Sequence, residues 1–199
     1  MGCTVSRQSH LVPKRAAVAV SDVHPTIRIS DASVDSQAPT ENQKKIIRST
    51  WNTLLQKNDA DKLGSEIFMC IFKSHPNLKL NFPFRNVAFS ALFSDPDFKA
   101  HSSRFVQLLR SLVDGLDRLT ELVPVLRNLG KLHVRHKDWF KGENLFAFKE
   151  SILITWRSKL GANWTSEARD AWSGLLDFAV GNMVAGFREK REHSNASDP

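Results

Sequence analysis

Asp95-Pro96-Asp97-Phe98-Lys99-Ala100-His101-Ser102-Ser103-Arg104-Phe105 opens with a carboxylate followed by proline, a helix cap and a residue whose fixed φ suits the first helical position. Phe98, His101, Phe105, Leu108 and Leu112 then recur at spacings of three and four, so a helix to about Asp114 carries them on one stripe. This reading places His101 on the buried side of that helix. Further along, Pro124 suits the first turn of a short helix ending near Val134. Leu122, Leu126, Leu129 and His133 share one of its faces, so His133 also sits on an apolar stripe.

Punctuation on either side defines the remaining elements. Thr40 and Gln43 form a T-x-x-Q capping box after Pro39, and Ile46, Ile47, Trp51, Leu54 and Leu55 follow at helical spacing. Lys62 to Ser74 presents Leu63, Ile67, Phe68, Ile71 and Phe72 on one side, and Pro76 ends it because the residue before proline resists the α conformation. Glu143 to about Leu160 and Thr165 to Lys190 read as two more helices, with Gly161 as the stop between them and Thr165 as a cap. Few alternating runs suit strands, so an all-α domain is expected over residues 40–190. Residues 1–39 lack either periodicity and read as a flexible arm, and residues 191–199 as a polar, flexible tail.

The 199 residues suit one core with tails, and 41% hydrophobic against 25% charged residues is the balance of an ordinary globular domain. No stretch is apolar for the roughly 18–20 residues that a bilayer span needs. The formal charge of +7 is spread along the chain without a basic-aromatic stripe or zinc-finger spacing, which argues against nucleic acid as a partner. Two cysteines, Cys3 and Cys70, do not make a disulfide framework and fit a reducing, cytosol-facing compartment.

Two buried imidazoles on two facing helices can address one iron from opposite sides, whereas either alone reads equally as a satisfied core residue. In a helix, the second ring nitrogen of His133 can donate to a carbonyl one turn back, that of Leu129, which would set the tautomer. His136 is a competing ligand, although it lies among Arg135, Lys137 and Asp138 where the helix should end. No Ser-His-Asp, paired-carboxylate or phosphate-loop arrangement offers another active site.

These residues resemble the globin family over roughly Thr40 to Phe187. Ile46 to Trp51 resembles the family's opening helix with its buried Trp, and Gly64 to Phe68 the second helix, with Phe68 inward. Asp95 to His101 resembles the distal-helix motif, and Leu129-Gly130-Lys131-Leu132-His133 the proximal one. The resemblance implies a three-over-three helical sandwich around haem b, held without covalent links, with His133 as the axial ligand and His101 as the distal histidine. It makes Phe82, or its near rival Phe84, the ring that stacks on haem. Phe105 would crowd the distal side, Arg104 and Lys99 are candidates for the propionates, and Leu129, Leu145, Phe148 and Ile152 would wall the pocket. The separation of the two histidines, with Trp164-Thr165 and Ala171-Trp172-Ser173, is most similar to nerve-type and cytoplasmic hexacoordinate globins. Bis-histidyl ligation and redox or oxygen signalling by electron exchange with oxygen species are therefore the expected function, served by an unidentified redox partner. Reversible binding, carriage or sensing of oxygen or another diatomic gas through a five-coordinate haem is the alternative. An interaction module without a cofactor is a third reading. Enzymatic turnover would be a side activity of the haem.

Met1-Gly2-Cys3-Thr4-Val5-Ser6 matches the M-G-x-x-x-[ST] pattern for myristoylation of Gly2. One myristate binds only marginally, and palmitoylation of Cys3 with weak help from Arg7, Lys14 and Arg15 would supply the second signal. Attachment to the cytoplasmic face of the plasma membrane or another membrane is the expected location.

Overall fold

In the computed structural model, which describes residues 38–57, 59–136, 140 and 142–195, helix ends follow local capping chemistry. The first helix, α1, spans Glu41–Lys57. Its capping box is reciprocal: Gln43 N–H donates to Thr40 Oγ1 at 3.3 Å and Thr40 N–H donates to Gln43 Oε1 at 2.9 Å. Helix α2, Ala60–Ser74, starts two residues before the expected Lys62 because the Asp59 carboxylate accepts from Asp61 N–H at 2.8 Å. The one-turn α3, Pro76–Lys79, follows. Helix α4, Pro96–Asp114, has the predicted bounds, with Asp95 Oδ1 accepting from Phe98 N–H at 2.8 Å.

Helix α5, Val123–Leu132, passes directly into a 3₁₀ turn, His133–His136. Helices α6, Gly142–Leu160, and α7, Ser166–Asn195, complete the chain. Gly161 between them takes φ +55°, the left-handed conformation that ends a helix without steric cost only at glycine. Thr165 Oγ1 caps α7 by accepting from Ala168 N–H at 3.2 Å. This helix runs through Asn195, past the expected end at Lys190, because no Gly or Pro interrupts it there. No strand occurs among the described residues, as expected. Gly2 and Cys3 lie outside them, as does the side chain of His136.

Helix α2 packs between α4 and α6, while α7 packs against α1, α5 and α6. Between α1, α6 and α7 lie Trp51, Trp156 and Trp172, with ring centroids 5.5 to 6.2 Å apart. Trp172 Nε1–H donates to Thr50 Oγ1 at 2.9 Å, which satisfies a buried polar atom.

Glycines set two helix crossings. A Cβ on Gly64 of α2 would strike the Ser102 carbonyl oxygen and Val106 of α4. On α5, a Cβ at Gly130 would overlap the Met183 carbonyl of α7, and one at Gly186 would overlap the Arg127 carbonyl in return. The α5 and α7 backbones thus touch through a pair of glycines. Beside this crossing, Glu189 of α7 joins Arg127 and Lys131 of α5, each at 3.0 Å.

The close approach at Gly64 divides the stripe expected on α4. Phe98, Ser102, Val106, Leu109, Leu112 and Val113 are the buried residues, and Ser102 disposes of its hydroxyl by donating to the Phe98 carbonyl at 2.7 Å. His101, Phe105 and Leu108 are only half-buried. They line a cavity, beside the part of the stripe that enters the packed core.

Candidate functional site

A cavity of about 340 Å³ lies between α4 and α5, floored by α6 and α7. That size falls within the roughly 300–1,000 Å³ of small-molecule and cofactor sites, and most of its lining is apolar, as such sites are. Phe68, Phe82, His101, Arg104, Phe105, Leu129, His133, Leu145 and Phe148, all nine residues expected from the sequence, line it together with the wall residue Ile152.

On the α4 side, His101 is held by ring edges. Its imidazole lies 5.1 Å from Phe68 and 5.1 Å from Phe82, nearly perpendicular to both. Phe68 also meets Phe105 at 5.3 Å and Phe148 at 5.7 Å, so one ring from α2 braces three residues of the cavity wall. Edge-to-face pairs of this kind contribute about 0.5–1.5 kcal/mol each beyond the apolar area they bury.

Phe82 and Phe84 are both buried and stack on one another at 5.1 Å and 20°. Only Phe82 lines the cavity, while Phe84 packs behind it against Phe98 at 5.4 Å. Tertiary packing thus assigns different places to two rings that the sequence could not tell apart.

On the α5 side, His133 Nδ1 lies 2.7 Å from the Leu129 carbonyl oxygen, the contact expected from helical spacing. A carbonyl can only accept, so Nδ1 carries a proton, and in the neutral ring Nε2 carries the lone pair. The imidazole also lies against Phe140 at 5.2 Å and 31°, and Phe140 stacks on Phe187 of α7 at 4.8 Å. Sequence reasoning missed Phe140. It lies beyond the helical run, and no spacing rule connects it to His133 or to α7.

Two cations reach the cavity with different prospects. Lys149 is paired with Asp177, both carboxylate oxygens lying 2.7 Å from Nζ. Arg104 is exposed and joins no ion pair among the described residues. Lys99, the other expected cation, does not line the cavity. From α7 come Leu176, Ala179, Val180 and Met183, none of which the sequence singled out. They face inward because the Gly130–Gly186 crossing brings α7 close beneath α5.

Residues 65–183 match the globin family model. Neuroglobin-1 of Oncorhynchus mykiss is 30% identical over 77% of this chain and 96% of its own length. Neuroglobin of Danio rerio is 29% identical over 78% and 97%. Among solved structures, a Drosophila melanogaster hexa-coordinate hemoglobin superimposes with a TM-score of 0.65 at 20% identity, covering 72% of this chain and 92% of its own. A hexacoordinated heme protein from an anhydrobiotic tardigrade gives 0.67 at 18% identity, covering 75% and 95%. The last two show the fold alone.

Proposed function

The chain belongs to the globin family, and from that premise we propose that its cavity holds a haem whose iron is ligated by His133 and, on the opposite face, by His101. The observation that carries the reading is the pair of imidazoles in one apolar cavity, with the Leu129 carbonyl aligning the lone pair of His133 Nε2. The chemistry of the lining suits this cofactor. A flat apolar macrocycle matches walls built from Phe68, Phe82, Leu129, Leu145 and Phe148, and its acidic edge matches Arg104. With no C-x-x-C-H in the chain, noncovalent b-type binding is the form proposed.

Haem bound in this way supplies one-electron chemistry and an affinity for diatomic gases. The protein's share is to orient and to exclude. His133, with its proton held at Nδ1, presents a neutral imidazole of enhanced basicity. Phe82 and Phe105 line the His101 side of the cavity, so an external ligand would meet aromatic rings beside His101. This arrangement suits electron exchange with oxygen species, in redox or oxygen signalling, better than rapid gas delivery. Lipid attachment at Gly2 and Cys3, bringing the domain to the cytoplasmic face of a membrane, belongs to the same proposal and rests on the Met1-to-Ser6 pattern.

Absorption spectra of the purified protein test the ligation. Six-coordinate low-spin bands in both the ferric and ferrous states are expected, and His101→Leu should shift the ferrous protein to five-coordinate bands. A parent protein already five-coordinate when ferrous would overturn bis-histidyl ligation and return the reading to reversible oxygen binding. For the lipid anchor, Gly2→Ala should move the protein from the membrane to the soluble fraction of cells, and unchanged fractionation would refute it.

A further inference from the structure

Between α2 and α4, residues 75–94 include no Asp or Glu. The same segment leaves Leu80 63%, Phe89 41% and Phe93 45% exposed. The local cause is the 3₁₀ turn Phe89–Ser94, which buries Leu92 and leaves Phe89 and Phe93 outside. Lys79 gathers the patch. Its Nζ donates to the carbonyls of Phe84 at 3.2 Å and Arg85 at 2.6 Å, and lies 5.7 Å from the centroid of the Phe89 ring. Phe93 meets the edge of Phe98 at 6.1 Å, beside Lys99 in the chain. Arg85 and Lys99 are exposed and join no ion pair among the described residues. Of the next acids along, Asp95 is engaged as the α4 cap and Asp97 is exposed in the first turn.

We propose that this patch docks the domain onto an anionic lipid surface, with Phe89 and Phe93 entering at the headgroup level and Arg85 and Lys99 meeting the lipid charge. Aromatic rings favour that interface, and each Lys or Arg near an anionic leaflet adds to the attraction. A second copy or a folded protein partner fits less well, since three partly exposed side chains fall far short of the roughly 800 Å² per partner that a standard interface buries. Phe82 belongs to this segment and touches His101, so the patch and the His101 side of the cavity share one stretch of chain. The inference shares its destination with the acylation reading but not its mechanism, and the two fail separately.

The test uses full-length holo-protein carrying Gly2→Ala, so that no amide-linked acyl chain contributes, sedimented with vesicles of phosphatidylcholine alone or mixed with phosphatidylserine. Binding only to the phosphatidylserine vesicles, weakened by salt, is expected. Phe89→Ser combined with Phe93→Ser should lower the partition constant about tenfold or more. Arg85→Glu should lower it about fivefold or more. The visible spectrum should stay unchanged in all of them, and the melting temperature unchanged in Arg85→Glu, while loss of the Phe93–Phe98 contact lowers it by a few degrees in the double variant without unfolding the protein. Absence of binding to phosphatidylserine vesicles, or binding that the patch variants leave intact, would overturn the proposal. So would a dimer in sedimentation velocity that the phenylalanine variants dissolve, which would assign the patch to a second copy. If the acylation reading alone fails, Gly2→Ala leaves cell fractionation unchanged while the vesicle result stands.

Discussion

The two walls of the cavity hold their histidines by different physics. On the α5 side, His133 is oriented by a directional hydrogen bond to Leu129 and a tilted ring contact with Phe140, on a helix locked to α7 by Gly130, Gly186 and the Glu189 ion pairs. On the α4 side, His101 sits between the ring edges of Phe68 and Phe82. A hydrogen bond fixes tautomer and direction together, whereas ring-edge packing fixes position with a softer dependence on angle. The difference fits the proposal of a permanent ligand at His133 and an exchangeable one at His101.

The test with the largest expected effect removes the ligand proposed on the α5 side. His133→Leu should lower haem affinity by more than about 100-fold, beyond the 10- to 100-fold that loss of an outer-shell partner costs. A haem titration followed by absorbance measures it, and uptake equal to that of the parent would erase the distinction between the walls. Next comes the crossing beneath that ligand. Gly130→Ala should cost about 1–3 kcal/mol, because the added methyl meets the Met183 backbone rather than a side chain able to move. A melting temperature lowered by several degrees is the readout, at about 2–4 °C per kcal/mol for a chain of this size.

On the softer wall the effect should be smaller and of another kind. His101→Leu should leave haem uptake within about tenfold of the parent, at most about 1.4 kcal/mol, while changing the spectrum. A loss as large as that of His133→Leu would make the walls equivalent. The smallest effect concerns acid. Hydrogen bonding from Lys131, with the charges of Lys131 and Arg127, holds the Glu189 carboxyl below its ordinary range. A lowered carboxylate stabilises fully above its unfolded pKa of about 4.3 and loses that contribution as pH falls through the lower folded value. Glu189→Gln should therefore flatten the acid limb of a stability-against-pH curve. Being partly exposed, the pairs are expected to contribute no more than about 1 kcal/mol at neutral pH.

Much of this architecture was legible because it is local. The Thr40–Gln43 box, the Asp95 cap, the Gly161 stop and the His133–Leu129 bond each involve residues within four positions of one another, where backbone geometry alone sets the distance. Helical spacing placed His101 and His133 on apolar faces, and the family resemblance named the other seven residues that line the cavity with them. What escaped was nonlocal. Phe82 and Phe84 are separated by which ring can stack behind the other, and Phe140 is placed by Phe187, far along the chain. The stripe on α4 split because Gly64 on another helix admitted Ser102 and Val106 to the core and left His101 half-buried.

The amino-acid order by itself determined the main helices and most of their caps, which faces are apolar, and that two imidazoles lie on such faces. These follow from spacing and capping within a turn or two, which every chain conformation with those helices must share. Only the tertiary structure decided that both imidazoles line one cavity, which phenylalanine faces it, and which cation beside it is paired with a carboxylate. Those outcomes depend on close approaches between residues distant in sequence, where a single missing Cβ at Gly64, Gly130 or Gly186 sets how near two helices can come.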